Sequence, residues 1–301
     1  MEHNVFRDKY YVFLISGGRT GTKFFGNLLQ KIIEDTFSVH EPDVLELKKG
    51  LQDILYKIKI FGFYHMIIGR IFNKTGIRNL SQNFLAGKIT LKALNDKIIG
   101  HRKKYYDKIH NDLIIESYYG WYGCIPAIQN LYKNYKIVVI TRDPCDWVTS
   151  NMNWEAFFGK RDWVDKFNLG RLNPKMVSDQ KYNRLWGNFT RLQKVAWTYK
   201  YQYETMIENV KNDENALVMK FEDLFYSKDR LENLRCLLDF ITKFQDKSFQ
   251  YVNPANILNK QINKNISYEF PNYTKWDPQT KKQFKEICLP VMEKLNYREK
   301  K

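Results

Sequence analysis

The stretch that determines the fold reads Tyr10-Tyr-Val-Phe-Leu-Ile-Ser-Gly-Gly-Arg-Thr-Gly-Thr-Lys-Phe-Phe25. Its first half contains a short apolar run, Tyr11–Ile15, which predicts a buried strand that ends in a glycine-rich turn. A helical pattern then begins at Thr22 and continues towards Glu34. The N–H groups of such a turn point inward and the helix dipole favours negative charge. This order of elements therefore predicts a site for a phosphate or a sulfate.

The register of the glycines indicates which anion the turn suits. The Walker A pattern G-x-x-x-x-G-K-[ST] has a glycine before its lysine and a Mg²⁺-binding hydroxyl after it. Counted from Gly17, Thr22 replaces that glycine and Phe24 replaces the hydroxyl residue. The dinucleotide pattern G-x-G-x-x-G is not met either. The turn therefore suits a donor whose charge is neutralised by the backbone, Arg19 and Lys23 without a metal ion. A turn without a ligand is the alternative.

A second strand-to-helix segment reads Lys136-Ile-Val-Val-Ile-Thr-Arg-Asp-Pro-Cys-Asp-Trp-Val-Thr-Ser150. Asp143 suits the N-cap of the helix, and Pro144 suits its first position. Arg142 then follows the carboxyl end of the strand, where open parallel sheets bind ligands, and Ser150 lies about two turns into the helix. On this evidence alone, Arg142 serves equally well as the partner of a carboxylate.

Together the two segments resemble the sulfotransferases that use 3′-phosphoadenosine 5′-phosphosulfate (PAPS). In that family a [KR]-[ST]-G-T loop binds the 5′-phosphosulfate, and an R-D-P-x-x-x-x-x-S segment binds the 3′-phosphate through its Arg and Ser. This chain has Arg19-Thr-Gly-Thr22 and, about 120 residues later, the segment from Arg142 to Ser150. The resemblance implies that PAPS is bound, with no metal, by Gly18, Arg19, Thr20, Gly21, Thr22, Lys23, Arg142 and Ser150. Weaker resemblances to the family are Lys220-Phe-Glu-Asp-Leu-Phe225 and the Trp276-to-Tyr297 segment.

Five short apolar segments separated by helical patterns predict a parallel sheet with right-handed crossovers. They are Tyr11–Ile15, Phe37–His40, Asp112–Glu116, Lys136–Thr141 and Ala216–Lys220. The predicted fold is three-layer α/β/α with a central parallel sheet, a P-loop-like nucleotide-binding core and helical insertions, in one sulfotransferase domain over 1–301. Further helices are expected at Tyr182–Asn209, Ser227–Thr242 and Pro278–Leu295.

Three intervals stand outside this repeating pattern. Residues 44–108 contain several helical patterns, and we expect a helical insertion for acceptor binding there. A second insertion is predicted at 153–186 and a mobile flap at 250–275. Within the first interval, Ile58–Phe72 is apolar on nearly every side, which favours a buried helix. A surface that contacts lipid or a lipid-linked glycan is the alternative.

Sulfuryl transfer to a hydroxyl requires a base, cations over the leaving oxygen and in-line placement. Arg19 and Lys23 are the expected cations, although Lys23 at the start of its helix would also suit solvent. Several carbohydrate sulfotransferases look similar at Val39-His-Glu-Pro42, where the Glu of a Glu-Pro pair is taken as the base, so Glu41 is the expected base.

Two other residues compete with Glu41 as the base. His40 is one, because an imidazole titrates near neutrality. Glu116 is another, at the end of the third predicted strand. The small-molecule sulfotransferases carry a catalytic His near this position, so Glu116 makes the resemblance closest to the carbohydrate branch. Tyr118, Trp121 and Trp154 would offer flat faces to a sugar ring unless they belong to the core.

Composition restricts the partners. The chain has 301 residues, 44% of them hydrophobic, and 49 basic against 33 acidic residues give a net charge of +16. This charge suits anionic partners, or reflects lysine-rich solvated faces. Four cysteines lie far apart and no apolar leader begins the chain, so a cytoplasmic protein is expected.

The predicted function is transfer of the sulfuryl group of PAPS to a hydroxyl of a saccharide or glycolipid. The alternatives are a non-catalytic nucleotide-fold protein on a nucleic-acid or membrane surface and a P-loop kinase. For the enzyme we expect a nucleotide sulfate donor and a carbohydrate or glycolipid acceptor as partners, with no nucleic acid. A peripheral membrane contact is a further candidate partner, and the oligomeric state stays open.

Overall fold

One parallel sheet of five strands lies at the centre of the computed structural model, which describes residues 5–45, 50–162, 171–255 and 269–300. The strands are β1 (Phe6–Ser16), β2 (Thr36–His40), β3 (Leu113–Ser117), β4 (Tyr132–Thr141) and β5 (Ala216–Lys220). Their order across the sheet is β2-β3-β1-β4-β5, and every neighbouring pair is parallel. The predicted central parallel sheet is confirmed. β1 and β4 begin earlier in the chain than predicted. The pattern did not reveal their first residues, because polar side chains such as Lys9 and Lys133 interrupt the apolar run there.

Helices cover both faces of this sheet. In chain order they are α1 (Thr22–Leu28), α2 (Leu51–Phe61), α3 (Gly69–Ile71), α4 (Ile77–Leu85), α5 (Leu91–Tyr106), α6 (Ile125–Leu131), α7 (Pro144–Met152), α8 (Gln180–Asn183), α9 (Arg191–Val210), α10 (Phe221–Phe225), α11 (Arg230–Thr242) and α12 (Pro278–Lys294). Shorter 3₁₀ turns occur at Leu29–Lys31, Tyr119–Gly123, Trp186–Asn188 and Tyr273–Lys275, and a π-helical turn occurs at Tyr64–Ile68.

Two apolar cores hold the three layers together. Along β1, Val12 and Leu14 face one core, which α1 and α11 complete, whereas Phe13 and Ile15 face the other. The second core is completed by α5, α6, α7, α9 and α12. This alternation follows from the period of two along a strand. Because both faces are covered, the strands are nearly continuous apolar runs, and the three-layer α/β/α fold is confirmed.

Two of the predicted helices differ from the structure. The helix predicted from Thr22 to Glu34 ends at Leu28, where a 3₁₀ turn replaces it. The helix predicted at Tyr182–Asn209 is interrupted, because Thr190 and Gln193 form a capping box that starts α9 anew.

The start of α7 follows the sequence prediction. Asp143 is its N-cap, and the Asp143 side chain accepts the N–H groups of Cys145 at 2.8 Å and Asp146 at 3.2 Å. Pro144 occupies the first turn, where its missing N–H is no loss. This part of the prediction is confirmed.

The predicted insertions are described in part. The described residues of the interval 44–108 include helices α2 to α5, and the role of this interval in acceptor binding stays a prediction. Of the second insertion, 153–186, residues 163–170 lie outside the described part of the chain. Half of the predicted flap at 250–275, residues 256–268, also lies outside the described part of the chain, so the flap stays a prediction.

The buried helix predicted at Ile58–Phe72 is wrong. Gly62, with φ of 88°, ends α2 within this interval. Met66 is buried, but Phe63 is 58% exposed and Ile71 is 64% exposed. One side of the segment therefore packs inward while apolar side chains also cover its outer side. Within the described ranges, no helix is both long enough and apolar enough to cross a membrane.

A cluster of buried charges joins the helical insertion to the sheet. Arg102 of α5 has no solvent exposure, and its guanidinium donates to Glu116 Oε2 of β3 at 3.0 Å. The same guanidinium lies 3.6 Å from Asp43, in the chain that follows β2. Asp43 also pairs with Arg70 at 3.2 Å and accepts the N–H of Ile77 at 3.1 Å. The cluster therefore connects β3, the end of β2 and the insertion.

These charges shift the ionisation of their neighbours. Burial disfavours an ionised Asp43, but the guanidinium groups of Arg102 and Arg70 outweigh burial and lower the pKa of Asp43. Burial lowers the pKa of His65 to about 4 and the pKa of His101 well below its ordinary value. The positive charge of Arg102 lowers both pKa values further, because it disfavours protonation of either ring. Both histidines are therefore neutral in the folded protein at neutral pH.

We expect the free energy of unfolding to fall as the pH is lowered from about 6.5 towards 4. The folded pKa values of His65 and His101 lie below the unfolded value, so the unfolded chain takes up protons that the folded protein does not bind. Each histidine contributes up to about 1.4 kcal/mol per pH unit in this window, and its full contribution is present above pH 6.5. Urea unfolding at a series of pH values measures the slope.

A matched pair of variants tests the origin of this slope. His65→Gln should flatten it, because one buried imidazole is removed. His110→Gln should leave it unchanged, because His110 is exposed. Equal slopes in the wild type and the His65→Gln variant would contradict the assignment.

Candidate active site

The turn after β1 is built from residues with left-handed backbone conformations. φ is 81° at Gly18, 59° at Arg19 and 77° at Gly21. A Cβ atom at Gly18 would meet nothing within 4 Å, so the turn faces open space at this residue. Gly21 is the N-cap of α1 and offers no side-chain hydrogen bond to the first turn of the helix. The turn therefore has the shape and the open N-terminal helix end of an anion cradle.

Hydrogen bonds from α7 and α9 hold this turn in place. The N–H of Gly17 donates to the Tyr203 hydroxyl at 3.2 Å, and this hydroxyl donates to the carbonyl of Ile140 at 3.2 Å. The indole N–H of Trp147 donates to the carbonyl of Gly18 at 2.8 Å. A Cβ at Gly17 would lie 3.0 Å from the Tyr203 ring, so this glycine permits the close approach. No sequence pattern pointed to Tyr203 or Trp147.

The two predicted donor-binding segments meet at Arg19. Nη1 of Arg142 donates to the carbonyl of Arg19 at 2.6 Å. Nε of Arg19 donates to the Ser150 hydroxyl at 3.1 Å. Parallel register aligns Ser16 of β1 with Ile140 of β4, which brings the two segments to the same edge of the sheet. Arg19, Arg142 and Ser150, three of the residues predicted to bind PAPS, are thus neighbours in space although Arg19 is far from the other two in the sequence.

The surroundings of Arg142 orient its side chain. The Tyr199 hydroxyl donates to the Arg142 carbonyl at 2.6 Å, and the Arg142 guanidinium lies 4.9 Å from the centre of the Phe221 ring. Nε of Arg142 is buried and has no hydrogen-bond partner among the described residues. The guanidinium therefore retains an N–H that no neighbour in the described part of the chain satisfies.

The later segments that resembled the family support the start of α7. The N–H of Asp143 donates to Glu222 Oε1 at 2.9 Å, and the Tyr297 hydroxyl donates to Glu222 Oε2 at 2.9 Å. The Tyr297 and Thr141 hydroxyls lie 3.0 Å apart. Glu222 and Tyr297 thus fix the strand-to-helix turn that carries Arg142.

His40 ends β2 and Glu41 follows it, at the same edge of the sheet. Nδ1 of His40 lies 2.9 Å from the Ser117 carbonyl, which can only accept, so Nδ1 carries a proton. Nε2 of His40 lies 3.9 Å from Oε2 of Glu41. Glu41 has φ of 48°, which costs a non-glycine residue on the order of 1 kcal/mol. Backbone strain of this kind concentrates at functional sites.

Arg78 is a cation near Glu41 that the sequence analysis missed. It lies at the start of α4, and its Nη1 donates to the Tyr119 hydroxyl at 3.4 Å. The pKa of Arg78 is raised chiefly by Tyr119, and the carboxylate of Glu41 adds to the shift. The proximity of Arg78 to Glu41 arises only because the insertion folds back onto the end of β3, so no local pattern marks it.

Glu116 is excluded as the third candidate base. Its side chain is 1% exposed, and its oxygens accept hydrogen bonds from Tyr106 at 2.8 Å and Trp121 at 2.9 Å in addition to Arg102. A carboxylate engaged in this way cannot receive a proton from a substrate hydroxyl. Trp121 is also fully buried, as is Tyr118, so both belong to the core and the predicted sugar contacts are wrong for them.

Trp154 is the remaining aromatic candidate for a sugar contact. Its side chain is 46% exposed, and its ring is stacked on that of Phe157 with 6.1 Å between the centroids. Its role in acceptor binding stays a prediction.

Close packing of α1 on β2 connects the turn to Glu41. A Cβ at Gly26 would lie 2.7 Å from the backbone nitrogen of His40, so only glycine permits this contact. Lys23 lies three residues earlier and therefore on the same side of α1. Lys23 is half-buried and makes no hydrogen bond or ion pair with the other described residues.

In fold, the chain is similar to solved structures of sulfotransferases. A sulfotransferase from Mycobacterium avium has a TM-score of 0.53 at 12% identity, over 97% of this chain and 78% of that one. A sulfotransferase from Mycobacterium tuberculosis H37Rv has a TM-score of 0.50 at 12% identity, over 92% of this chain and 76% of that one. No family model and no curated protein matches the sequence. The chain thus has the P-loop-like α/β fold of sulfotransferases.

The contact between Gly26 and His40 leads to a stability prediction. Gly26→Ala should lower the free energy of unfolding by about 1–3 kcal/mol, because the added methyl group would push α1 away from the end of β2. Gly100→Ala is the matched control, since Gly100 lies in α5 and a methyl group added there would meet nothing within 4 Å. This control should be stabilised by about 0.5–1 kcal/mol. Chemical unfolding of both variants checks the prediction, and equal effects of the two substitutions would contradict it.

Proposed function

We propose that this protein is a sulfotransferase that moves the sulfuryl group of PAPS to a hydroxyl of a saccharide or glycolipid. The observation that carries the proposal is the junction of Arg19, Arg142 and Ser150 at the turn after β1. Two segments that resemble the donor-binding motifs of one family meet there, at the edge of a sheet with the sulfotransferase fold. The Glu-Pro pair at Glu41 favours a carbohydrate acceptor by the same resemblance.

The residues at the turn fit the charge of PAPS. The 5′-phosphosulfate would be held by backbone and side chains of Gly18, Arg19, Thr20, Gly21, Thr22 and Lys23. Arg142 and Ser150 would hold the 3′-phosphate. Two features support this fit: the unsatisfied buried Nε of Arg142 and the open space beside Gly18. PAPS, when bound, supplies the sulfuryl group and a phosphate leaving group.

Glu41 is the proposed base. It accepts the proton of the acceptor hydroxyl as the hydroxyl oxygen bonds to sulfur and the bond from sulfur to the phosphate oxygen breaks. Arg19 and Lys23 neutralise the charge that develops on the leaving phosphate. The carboxylate of Glu41 contributes to the raised pKa of Arg78, so Arg78 is a nearby cation that can balance the charge of this carboxylate.

His40 is the alternative to Glu41 as the base. Because Nδ1 donates to the Ser117 carbonyl, the neutral ring presents an unprotonated Nε2 on the side of Glu41. The two candidates therefore lie next to each other, and substitution is required to distinguish them.

Ligand-induced thermal stabilisation tests the donor. We expect 3′-phosphoadenosine 5′-phosphate, the product of PAPS, to raise the melting temperature by several degrees without a metal, because a ligand at 100 times its Kd adds about 2.7 kcal/mol. The Arg142→Met variant should lose most of this shift. A shift that requires Mg²⁺ and ATP would instead support a P-loop kinase. No shift with any of these nucleotides would overturn the proposal and favour a non-catalytic protein.

Substitution of Glu41 tests the chemistry. Glu41→Gln should reduce transfer of labelled sulfate from PAPS to an accepting glycan by about 10²–10⁴-fold in kcat. Its thermal shift with 3′-phosphoadenosine 5′-phosphate should be retained, since Glu41 does not bind the donor in this proposal. If His40→Asn abolished transfer while Glu41→Gln did not, the base would be His40.

Glu116→Gln is the matched control for the same experiment. It changes a carboxylate that lies on an adjacent strand but is bound to buried Arg102. We expect this variant to lose about 3–5 kcal/mol of stability, because a buried guanidinium loses its main ionic partner. Molecules that remain folded should keep their transfer rate. A rate loss per folded molecule equal to that of Glu41→Gln would refute the assignment of the base.

A further inference from the structure

The helical insertion presents a concentrated apolar surface to solvent. We call this surface the apolar face, and it consists of Leu51, Leu55, Tyr56, Phe63, Tyr64, Ile68, Ile71 and Phe72. These eight are more than half of the fourteen large hydrophobic side chains that are exposed among the described residues. The other six are scattered between Trp154 and Leu289. Monomeric proteins rarely expose so many large apolar side chains in one short stretch, and such surfaces usually bind a partner.

The spacing of residues along the helices places the side chains of the apolar face on the solvent side. In α2, Leu51 and Leu55 are one turn apart, and Lys59 continues the same row after them. In the next helical segment Tyr64 and Ile68 are spaced in the same way. The opposite sides of both segments are buried in the protein through Ile60 and Met66. The segments also contact each other, so they form one continuous part of the surface.

Positive charge is concentrated in the same part of the chain. Residues 51–108 contain twelve Lys and Arg residues against three Asp, a net charge of +9 out of the +16 of the whole chain. Lys59 and Lys74 are exposed beside the apolar side chains. The one acidic residue between 51 and 74, Asp53, is paired with Lys57 at 3.0 Å. Two exposed cations, Lys59 and Lys74, therefore lie in the same stretch of chain as the apolar face, and the one acidic residue of that stretch is already paired.

We propose that the apolar face docks on the surface of an anionic lipid bilayer. Its aliphatic and aromatic side chains would enter the boundary between headgroups and acyl chains, while Lys59 and Lys74 would meet lipid phosphates. The charge argues against a second copy of this chain as the occupant. A two-fold interface would place two surfaces of the same positive charge against each other, which is unfavourable.

The apolar face is connected to the edge of the sheet that carries Glu41. Arg70, in α3, pairs with Asp43, which lies two residues after Glu41 in the chain. Docking would therefore bring the bilayer close to the candidate active site, as a membrane-borne acceptor would require. Docking itself does not depend on the proposed sulfotransferase activity.

Vesicle binding by the full chain tests the proposal. We expect the protein to co-sediment with vesicles of phosphatidylcholine and phosphatidylglycerol, and less with phosphatidylcholine alone or at raised salt. The double variant Phe63→Ser and Ile71→Ser should lower the partition coefficient about tenfold or more, because two large side chains no longer enter the lipid. Lys59→Glu with Lys74→Glu should weaken binding to the anionic vesicles selectively.

The matched control is the double variant Leu185→Ser and Leu289→Ser, which removes two exposed apolar side chains elsewhere. It should bind vesicles as the wild type does. Absence of wild-type binding to anionic vesicles, or unchanged binding by the Phe63 and Ile71 variant, would overturn the proposal. Sedimentation equilibrium of the same proteins tests the rival outcome. In that case the wild type and the Leu185 and Leu289 variant would be dimers, and the Phe63 and Ile71 variant would be a monomer. The thermal shift with 3′-phosphoadenosine 5′-phosphate, measured on each variant, reports separately on the proposed donor site.

Discussion

The buried guanidinium of Arg102 is the group on which the arrangement of the molecule depends. A charge without solvent contact costs several kcal/mol unless its partners compensate it, and here Glu116 and Asp43 do so. These two carboxylates come from β3 and from the chain that leaves β2. The helical insertion can therefore bury Arg102 only if it packs on the sheet so that Arg102 meets both carboxylates. The same packing determines the direction of the chain after Glu41.

The candidate site accordingly rests on two supports of different chemistry. On one side, neutral hydrogen bonds with Tyr203 and Trp147 hold the turn after β1. On the side of Glu41, the paired charges around Asp43 hold the strained chain that follows β2. Parallel register brings the two sides to one edge, and the close contact at Gly26 determines their separation. In-line transfer would require both supports, because it depends on the relative position of donor and base.

Much of the fold could be predicted from local patterns, and so could the meeting of the turn after β1 with the segment from Arg142 to Ser150. Apolar runs mark the strands, and parallel strands bring their carboxyl ends to one edge. The buried role of Glu116 could not be predicted, because Arg102 reaches it only through the packing of α5 on the sheet. The exposure of Phe63 and Ile71 could not be predicted either, since a segment that is apolar all round has no periodicity to distinguish its outer side.

The amino-acid sequence by itself determined the order of strands and helices along the chain, the spacing of the glycines in the turn after β1 and the position of Arg142 after its strand. These properties depend on neighbours within a few residues, where chain geometry leaves few alternatives. Only the tertiary structure decided that Glu116 is buried while His40 and Glu41 are partly exposed, that Arg78 lies near Glu41 and that the apolar face is exposed. Those outcomes depend on contacts between distant segments, where burial and charge compensation outweigh local preference.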